Sequence, residues 1–259
     1  MLDPLILAFV AVGFGAQIID GALGMGYGVI STTILLGMGI QPVAASASVH
    51  TAEIFTTAAS GLSHFRYGNV DKTLFMKLLI PGAIGGITGA YILTTLPGER
   101  IKPFVAIYLF AMGIVIFIKA LKHEPRKPSE IKPVPLAAFG GFMDAIGGGG
   151  WGPIVTSTIV ARGHEPRLAI GSVNAAEFFV TVAQCVTFSL GMGTFHWKII
   201  LGLLIGGVAA APLAAYICNR APTRFLMTAV GIAIMILSVR TVYLAHPEVC
   251  ISAWLGIQK

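Results

Sequence analysis

Residues 21–28 read GALGMGYG and residues 145–153 read AIGGGGWGP. Each run lies inside a long apolar stretch, 5–40 around the first and 135–161 around the second. As one helix, residues 5–40 would be about 54 Å long, against a hydrocarbon core of about 30 Å. The glycine run is the natural place for that helix to break. What remains beyond it, 29–40, is about 18 Å as a helix, half a bilayer. Each first segment is therefore read as two partial helices meeting near mid-membrane, a re-entrant hairpin that enters and leaves on one side. Pro153 suits the first turn of the helix after the second break, where its missing N–H costs nothing. Irregular backbone at that depth is tolerated only inside protein or along a wet cavity.

The two runs are copies of one another. A shift of 124 residues lays Asp20 on Asp144, Gly24 on Gly148, Gly26 on Gly150 and Gly28 on Gly152. It also lays Gly39 on Gly163, Pro42 on Pro166, Ser48 on Ser172, Glu53 on Glu177 and Thr57 on Thr181, and it pairs Tyr27 with Trp151. After one inserted residue the match continues through Gly68 and Gly193, Tyr91 and Tyr216, and Pro97 and Pro222. A repeat of this length dictates the organisation: a first half over 1–120, a basic, Pro-rich linker over 121–133, and a second half over 134–259 that ends in a short tail.

Composition sets the solvent. Charged residues are 11% of the chain, hydrophobic residues 56%, and the mean hydropathy is +0.85. A soluble domain carries about 25% charged residues, so this chain cannot cover a water-facing surface; disorder is excluded for the same reason. Cys185, Cys218 and Cys250 are few and far apart, with neither a disulfide framework nor metal-ligand spacing. No metal or cofactor is expected. The net charge of +6 reflects basic loops rather than a nucleic-acid surface, because no basic stretch is interleaved with aromatics. The apolar segments 43–65, 73–95, 101–119, 167–190, 197–217 and 223–244 each have the length of a single crossing. The expected fold is an all-α polytopic membrane protein of two inverted-topology repeats, each a Gly-broken re-entrant hairpin plus three transmembrane helices. A hairpin crosses zero or two times, so each half crosses an odd number of times and the halves must be inverted. With both termini outside, 12 of the 17 Lys and Arg fall in inside loops. Parallel halves with the N-terminus inside would place 11 there, so charge barely separates the two and the length argument decides. No Lys or Arg precedes Arg66. A signal peptide needs a positive n-region, so the N-terminus is read as mature sequence.

Two features carry chemistry. The first is the duplicated D-x-x-x-G-x-G-x-G motif, Asp20 to Gly28 and Asp144 to Gly152. Without side chains, the backbone N–H groups at Gly24, Gly26, Gly28, Gly148, Gly150 and Gly152 can approach a ligand. The helices that follow would aim their N-termini at mid-membrane and form an anion site beside Tyr27 and Trp151. The plainer reading is that the glycines make tight turns and close packing. Asp20 and Asp144 either cap the turns or carry protons. The second feature is a polar stripe at helical spacing after each hairpin. It comprises Ser46, His50, Glu53, Thr57 and Ser60, then Asn174, Glu177, Thr181 and Gln184. A charged side chain at a helix centre costs about 2.5–3.5 kcal/mol on insertion scales. Glu53 and Glu177 are therefore candidates for proton coupling, with His50 beside them. Hydrogen-bonded glue between helices is the alternative. No Lys or Arg lies at a helix centre, so an anion would be held weakly, by backbone and neutral groups. Small-residue spacing at Gly82, Gly85, Gly86 and Gly89 and at Gly202, Gly206 and Gly207 reads as close helix packing. Trp197, Tyr243 and Trp254 read as interface anchors.

The stretches GFGAQIIDGALGMGYGVISTTILLGMGIQPVAASASVHTAEI (13–54) and GGFMDAIGGGGWGPIVTSTIVARGHEPRLAIGSVNAAEF (140–178) resemble the TauE/SafE family of sulfite exporters, over about 5–245. The resemblance implies a carrier in a bacterial-type inner membrane, not an enzyme, that moves sulfite or a related sulfur oxyanion or organosulfonate, mostly outward; the buried glutamates add protons as a further candidate partner. The positions that match are the glycine turns, His50, Glu53, Asn174 and Glu177; with the turns, Tyr27, Trp151, Ser48, Ser172, His50 and Asn174 are the candidate substrate-binding residues. His50 opposite Asn174 makes the two halves unequal. The readings from other classes are a passive anion channel and an intramembrane lipid-phosphate hydrolase; the latter needs an intramembrane Arg that this chain lacks. Oligomeric state and coupling stoichiometry are not legible in the sequence.

Overall fold

The architecture comes from a computed structural model of the 259-residue chain, which describes residues 4–23, 25–66, 68–121, 130–192, 196–218 and 223–245. All regular structure among these residues is helical. The first half contains α1 (Pro4–Leu23), α2 (Tyr27–Gly37), α3 (Pro42–Arg66), α4 (Lys72–Thr95) and α5 (Gly98–Leu121). The second begins with α6 (Pro133–Gly147). A π-helical turn, Gly152–Thr156, then runs into α7 (Ser157–Ala161), followed by α8 (Pro166–Met192), α9 (Trp197–Cys218) and α10 (Thr223–Ala245).

Local chemistry accounts for the boundaries. Pro42, Pro133 and Pro166 each open a helix, where a fixed φ is already helical and no N–H is wanted. Asp71 caps α4: its Oδ1 accepts from the N–H groups of Thr73 and Leu74 at 2.8 and 3.1 Å. Gly148 closes α6 with φ 65°, the left-handed conformation that glycine adopts without steric cost. Both long apolar stretches break where the glycines stand. The helix after the first break begins at Tyr27, two residues before the expected start, and ends at Gly37. After the second, Pro153 lies inside the first π-helical turn. Gly24, most of the linker (122–129) and the tail (246–259, including Trp254) lie outside the described residues. Lys119, counted from the sequence among the loop charges, instead belongs to the last turn of α5. Its ammonium donates to the Pro153 carbonyl at 3.1 Å and contacts the Ser157 hydroxyl.

The helices pack across the halves. α1 lies on α9, α6 on α4, α3 on α8 and α5 on α10. Small residues permit the closest of these approaches. A Cβ at Gly85 would run into the backbone of Ala138, and one at Gly206 into that of Val10. Among the described residues, three helical stretches are long and apolar enough to cross a membrane by length and composition: Lys72–Thr95, Arg100–Leu121 and Leu168–Met192. The core is apolar where the halves meet, with Phe9, Leu35, Leu109, Phe188 and Leu203 buried together, and Trp151, Val155, Ile159, Val173 and Val180 in a second cluster. Large apolar side chains also line the outside: Leu190, Phe104 and Ile236 are mostly exposed, as expected of a surface solvated by lipid.

Candidate functional site

The two glycine breaks touch. Thr32 Oγ1, in α2, donates to the Gly148 carbonyl at 2.5 Å. A Cβ on Gly28 would come within 2.6 Å of Gly149 Cα, whose own φ is 147°. Only glycine satisfies both the conformation and the proximity. The same requirement explains why the runs are so rich in it: each turn must bend, and it must also admit the other.

Carboxylates tie the turns. Asp144 Oδ1 accepts from the N–H groups of Gly150 and Trp151 at 2.7 and 2.9 Å. Asp20 Oδ1 accepts from Tyr27 N–H at 3.2 Å. The aromatic after each turn is anchored as well: Trp151 Nε1–H donates to Val173 O at 3.2 Å, and Tyr27 O–H to Leu203 O at 3.1 Å.

A cavity of about 400 Å³ opens beside this junction. Of the residues picked from the sequence, Asp20, Gly26, Tyr27, Gly28, Glu53, Asp144, Gly150, Trp151, Gly152, Asn174 and Glu177 line it. Among the lining residues four are carboxylic acids and none is Lys or Arg. Glu53 is buried; Asn174 and Glu177 are half-buried. Asn174 Nδ2 donates to Ser60 Oγ at 3.1 Å across the α3–α8 contact. The cavity extends to His64 in the last turn of α3 and to Ile170 in the first turns of α8.

Ser48, His50, Gly148 and Ser172 stand apart from the cavity wall. His50 is fully buried, with its ring between Ser46 and Asp144: Nδ1 is 2.7 Å from Ser46 O and Nε2 is 3.0 Å from Asp144 Oδ2. Gln184 Nε2 donates to the same Asp144 oxygen at 2.9 Å. Ser172 holds the loop before α4: its Oγ donates to Leu168 O at 2.7 Å and accepts from Asp71 N–H at 2.9 Å. Ser48 is buried with no hydrogen-bond partner for its hydroxyl among the described residues.

Sequence reading missed Gln17, Thr56, His64 and Gly149, all of which line the cavity. Gln17 is buried, and its Oε1 has no hydrogen-bond partner among the described residues. An amide within an apolar helix is itself a signal. The repeat concealed it, because the position matching Gln17 is Gly141. No group of three or more His, Cys, Asp or Glu that could hold a metal ion occurs among the described residues.

Comparison with known proteins is decisive at the level of family. The profile of the family described as "Sulfite exporter TauE/SafE" matches residues 9–241. The chain belongs to the TauE/SafE sulfite exporter family. A relative from Bacillus subtilis (strain 168), "Probable membrane transporter protein YtnM", is 42% identical, with 91% of this chain and 82% of the relative covered. "Probable membrane transporter protein ORF9" from Sinorhizobium sp. is 24% identical, with 97% of each chain covered. No solved structure matches the chain. This TauE/SafE chain is thus a membrane transporter, and its glycine breaks and both polar-stripe helices fall within the matched residues.

Proposed function

We propose that the chain carries sulfite, or a related sulfur oxyanion or organosulfonate, across a bacterial-type inner membrane by alternating access, with protons moving alongside. The observation that carries this reading is the cavity where the two glycine breaks meet. Helix α2 starts there, and the first turn of any helix leaves backbone N–H groups without intrahelical partners. Such a turn attracts an anion through those donors and through the dipole. Transporters built from inverted repeats bind substrate at broken helices near the midplane. The pairing of α1 with α9 and of α6 with α4 is what two structurally equivalent, inverted halves would produce.

Proton coupling follows from the charge inventory. An anion entering a wall that holds Asp20, Glu53, Asp144 and Glu177 and, among the described residues, no Lys or Arg meets repulsion from every ionised carboxylate. Protons on Glu53 and Glu177 remove it, so anion and proton occupy the site together. Asp20 and Asp144 are already engaged with turn N–H groups and are better suited to hold the turns than to exchange protons. With both termini outside, the end of the cavity at His64 and Ile170 lies on the cytoplasmic side, which suits export.

The test is radiolabelled sulfite flux in proteoliposomes, with and without an imposed pH gradient. Saturable flux that follows the gradient is expected. Saturable flux indifferent to the gradient would remove the proton. No flux of sulfite from folded protein, with flux of an organosulfonate or thiosulfate, would move the assignment to that cargo. Flux that never saturates would instead indicate a channel.

A further inference from the structure

Under the 124-residue shift, Asp144, His50 and Gln184 correspond to Asp20, Asn174 and Ser60, with the halves exchanged. The two trios are in different states. In the first, Asp144 Oδ2 is held by His50 at 3.0 Å and by Gln184 at 2.9 Å, and all three side chains are buried. In the second, Asn174 and Ser60 bond each other at 3.1 Å. Asp20 receives a hydrogen bond only from Tyr27 N–H among the described residues, and all three residues line the cavity. One trio is assembled, with His50 and Gln184 away from the cavity and only Asp144 on its wall; its counterpart is parted, with every member on that wall.

The positions agree with this difference. α3 and α8 run antiparallel against each other, with Gly61 packed near Ala175. The cavity reaches His64 and Ile170, toward the C-terminal end of α3 and the N-terminal end of α8. His50 and Gln184 lie toward the opposite ends of the same helices.

From these relations we infer that His50, Asp144 and Gln184 form a lock that closes one end of the cavity, and that Asp20, Asn174 and Ser60 form the matching lock at the other end when the site turns over. His50 and Gln184 are then positioning residues that hold one access state, rather than ligands of the substrate. The inference rests on the alternating-access reading above and adds to it which residues hold each state. The chemistry of the turnover is an exchange of hydrogen bonds. Asp144 gives up His50 and Gln184 as Asp20 gains Asn174 and Ser60, so in each end state one of the two carboxyl groups is hydrogen-bonded by two side chains from α3 and α8. The His-for-Asn difference makes the two locks unequal, and the assembled lock contains the histidine. A two-state protein shifts toward whichever state keeps its contacts.

The experiment is pulsed dipolar EPR on the full chain in nanodiscs, with Cys185, Cys218 and Cys250 replaced by Ala. Spin labels at His64→Cys and Ile170→Cys report the mouth of the cavity. With both locks intact a single open-mouth distance is expected. Asp144→Asn should raise the ratio of closed to open mouth by about tenfold, since a charge-assisted buried hydrogen bond is lost from one state only. Asp20→Asn should leave the open distance in place. Gln184→Met, which spares the His50–Asp144 contact, should give a smaller shift in the same direction and serves if Asp144→Asn does not fold. An unchanged distance distribution in folded Asp144→Asn and Gln184→Met, or a shift produced equally by Asp20→Asn, would overturn the lock. Sulfite flux measured on the parent protein keeps the two readings separate. A shifted distribution without sulfite flux would sink the cargo and leave the lock standing; flux without a shift would do the reverse.

Discussion

His50 Nε2 lies 3.0 Å from Asp144 Oδ2, ninety-four residues away in the chain and in the other half of the molecule. Neither side chain reaches solvent to a useful degree; their exposures are 0% and 4%. A buried pair of this kind is weak evidence for stability, but breaking it from one side is costly. His50→Leu is expected to destabilise the protein by about 3–5 kcal/mol, because Asp144 is left buried against an apolar neighbour. His50→Gln, whose amide can still donate to Asp144, should cost clearly less. Thermal unfolding of the two variants in detergent would check the order; equal losses would mean that the contact contributes only packing.

The contact between the glycine turns makes a sharper steric prediction. Gly149 has φ 147° and abuts Gly28, whereas Gly39 has φ 90° and open space around it. Gly39→Ala should therefore show backbone strain alone, about 1 kcal/mol. Gly149→Ala adds overpacking that is typically worth about 1–3 kcal/mol more. Melting temperatures in the same detergent would decide it, and similar shifts at both positions would refute the close approach.

For the aromatic pair, Trp151→Phe removes the N–H that reaches Val173 O, and Tyr27→Phe removes the O–H that reaches Leu203 O. Each loses one hydrogen bond and keeps most of its apolar surface, so each should cost about 1 kcal/mol. If Trp151→Phe instead loses all flux at normal stability, the indole has a role beyond anchoring the turn.

The proposed proton role gives a functional prediction. The double variant Glu53→Gln/Glu177→Gln keeps size and hydrogen-bonding capacity but cannot exchange protons. Saturable sulfite exchange should persist in proteoliposomes while its response to an imposed pH gradient disappears. A gradient response equal to that of the parent would exclude both glutamates from coupling.

Much of the helical layout was legible in the sequence. Helix lengths follow from apolar runs, and runs such as 43–65 and 73–95 reappear as α3 and α4 within a residue or two. The breaks were legible because two glycine clusters occupy matching places in a repeat. Glu53, Asn174 and Glu177 stood out as polar groups in apolar helices, and they line the cavity. Gln17 carried the same signal but had no copy in the second half. His50 was legible as a buried polar residue, though not as a partner of Asp144 rather than of the cavity.

By itself, then, the sequence determined the solvent, the helices, the breaks and the duplication. All four rest on local composition or on self-similarity, which a single strand of letters contains. The tertiary structure alone decided that α1 lies on α9 and α6 on α4, that Gly28 meets Gly149, and that Asp144 is held by His50 and Gln184 while Asp20 has no side-chain partner among the described residues. Those facts concern residues far apart in the chain, from Gly85 and Ala138 to Val10 and Gly206. Two copies of one motif carry nearly the same local preferences, so only packing between the halves can give Asp144 two side-chain partners and leave Asp20 with none among the described residues.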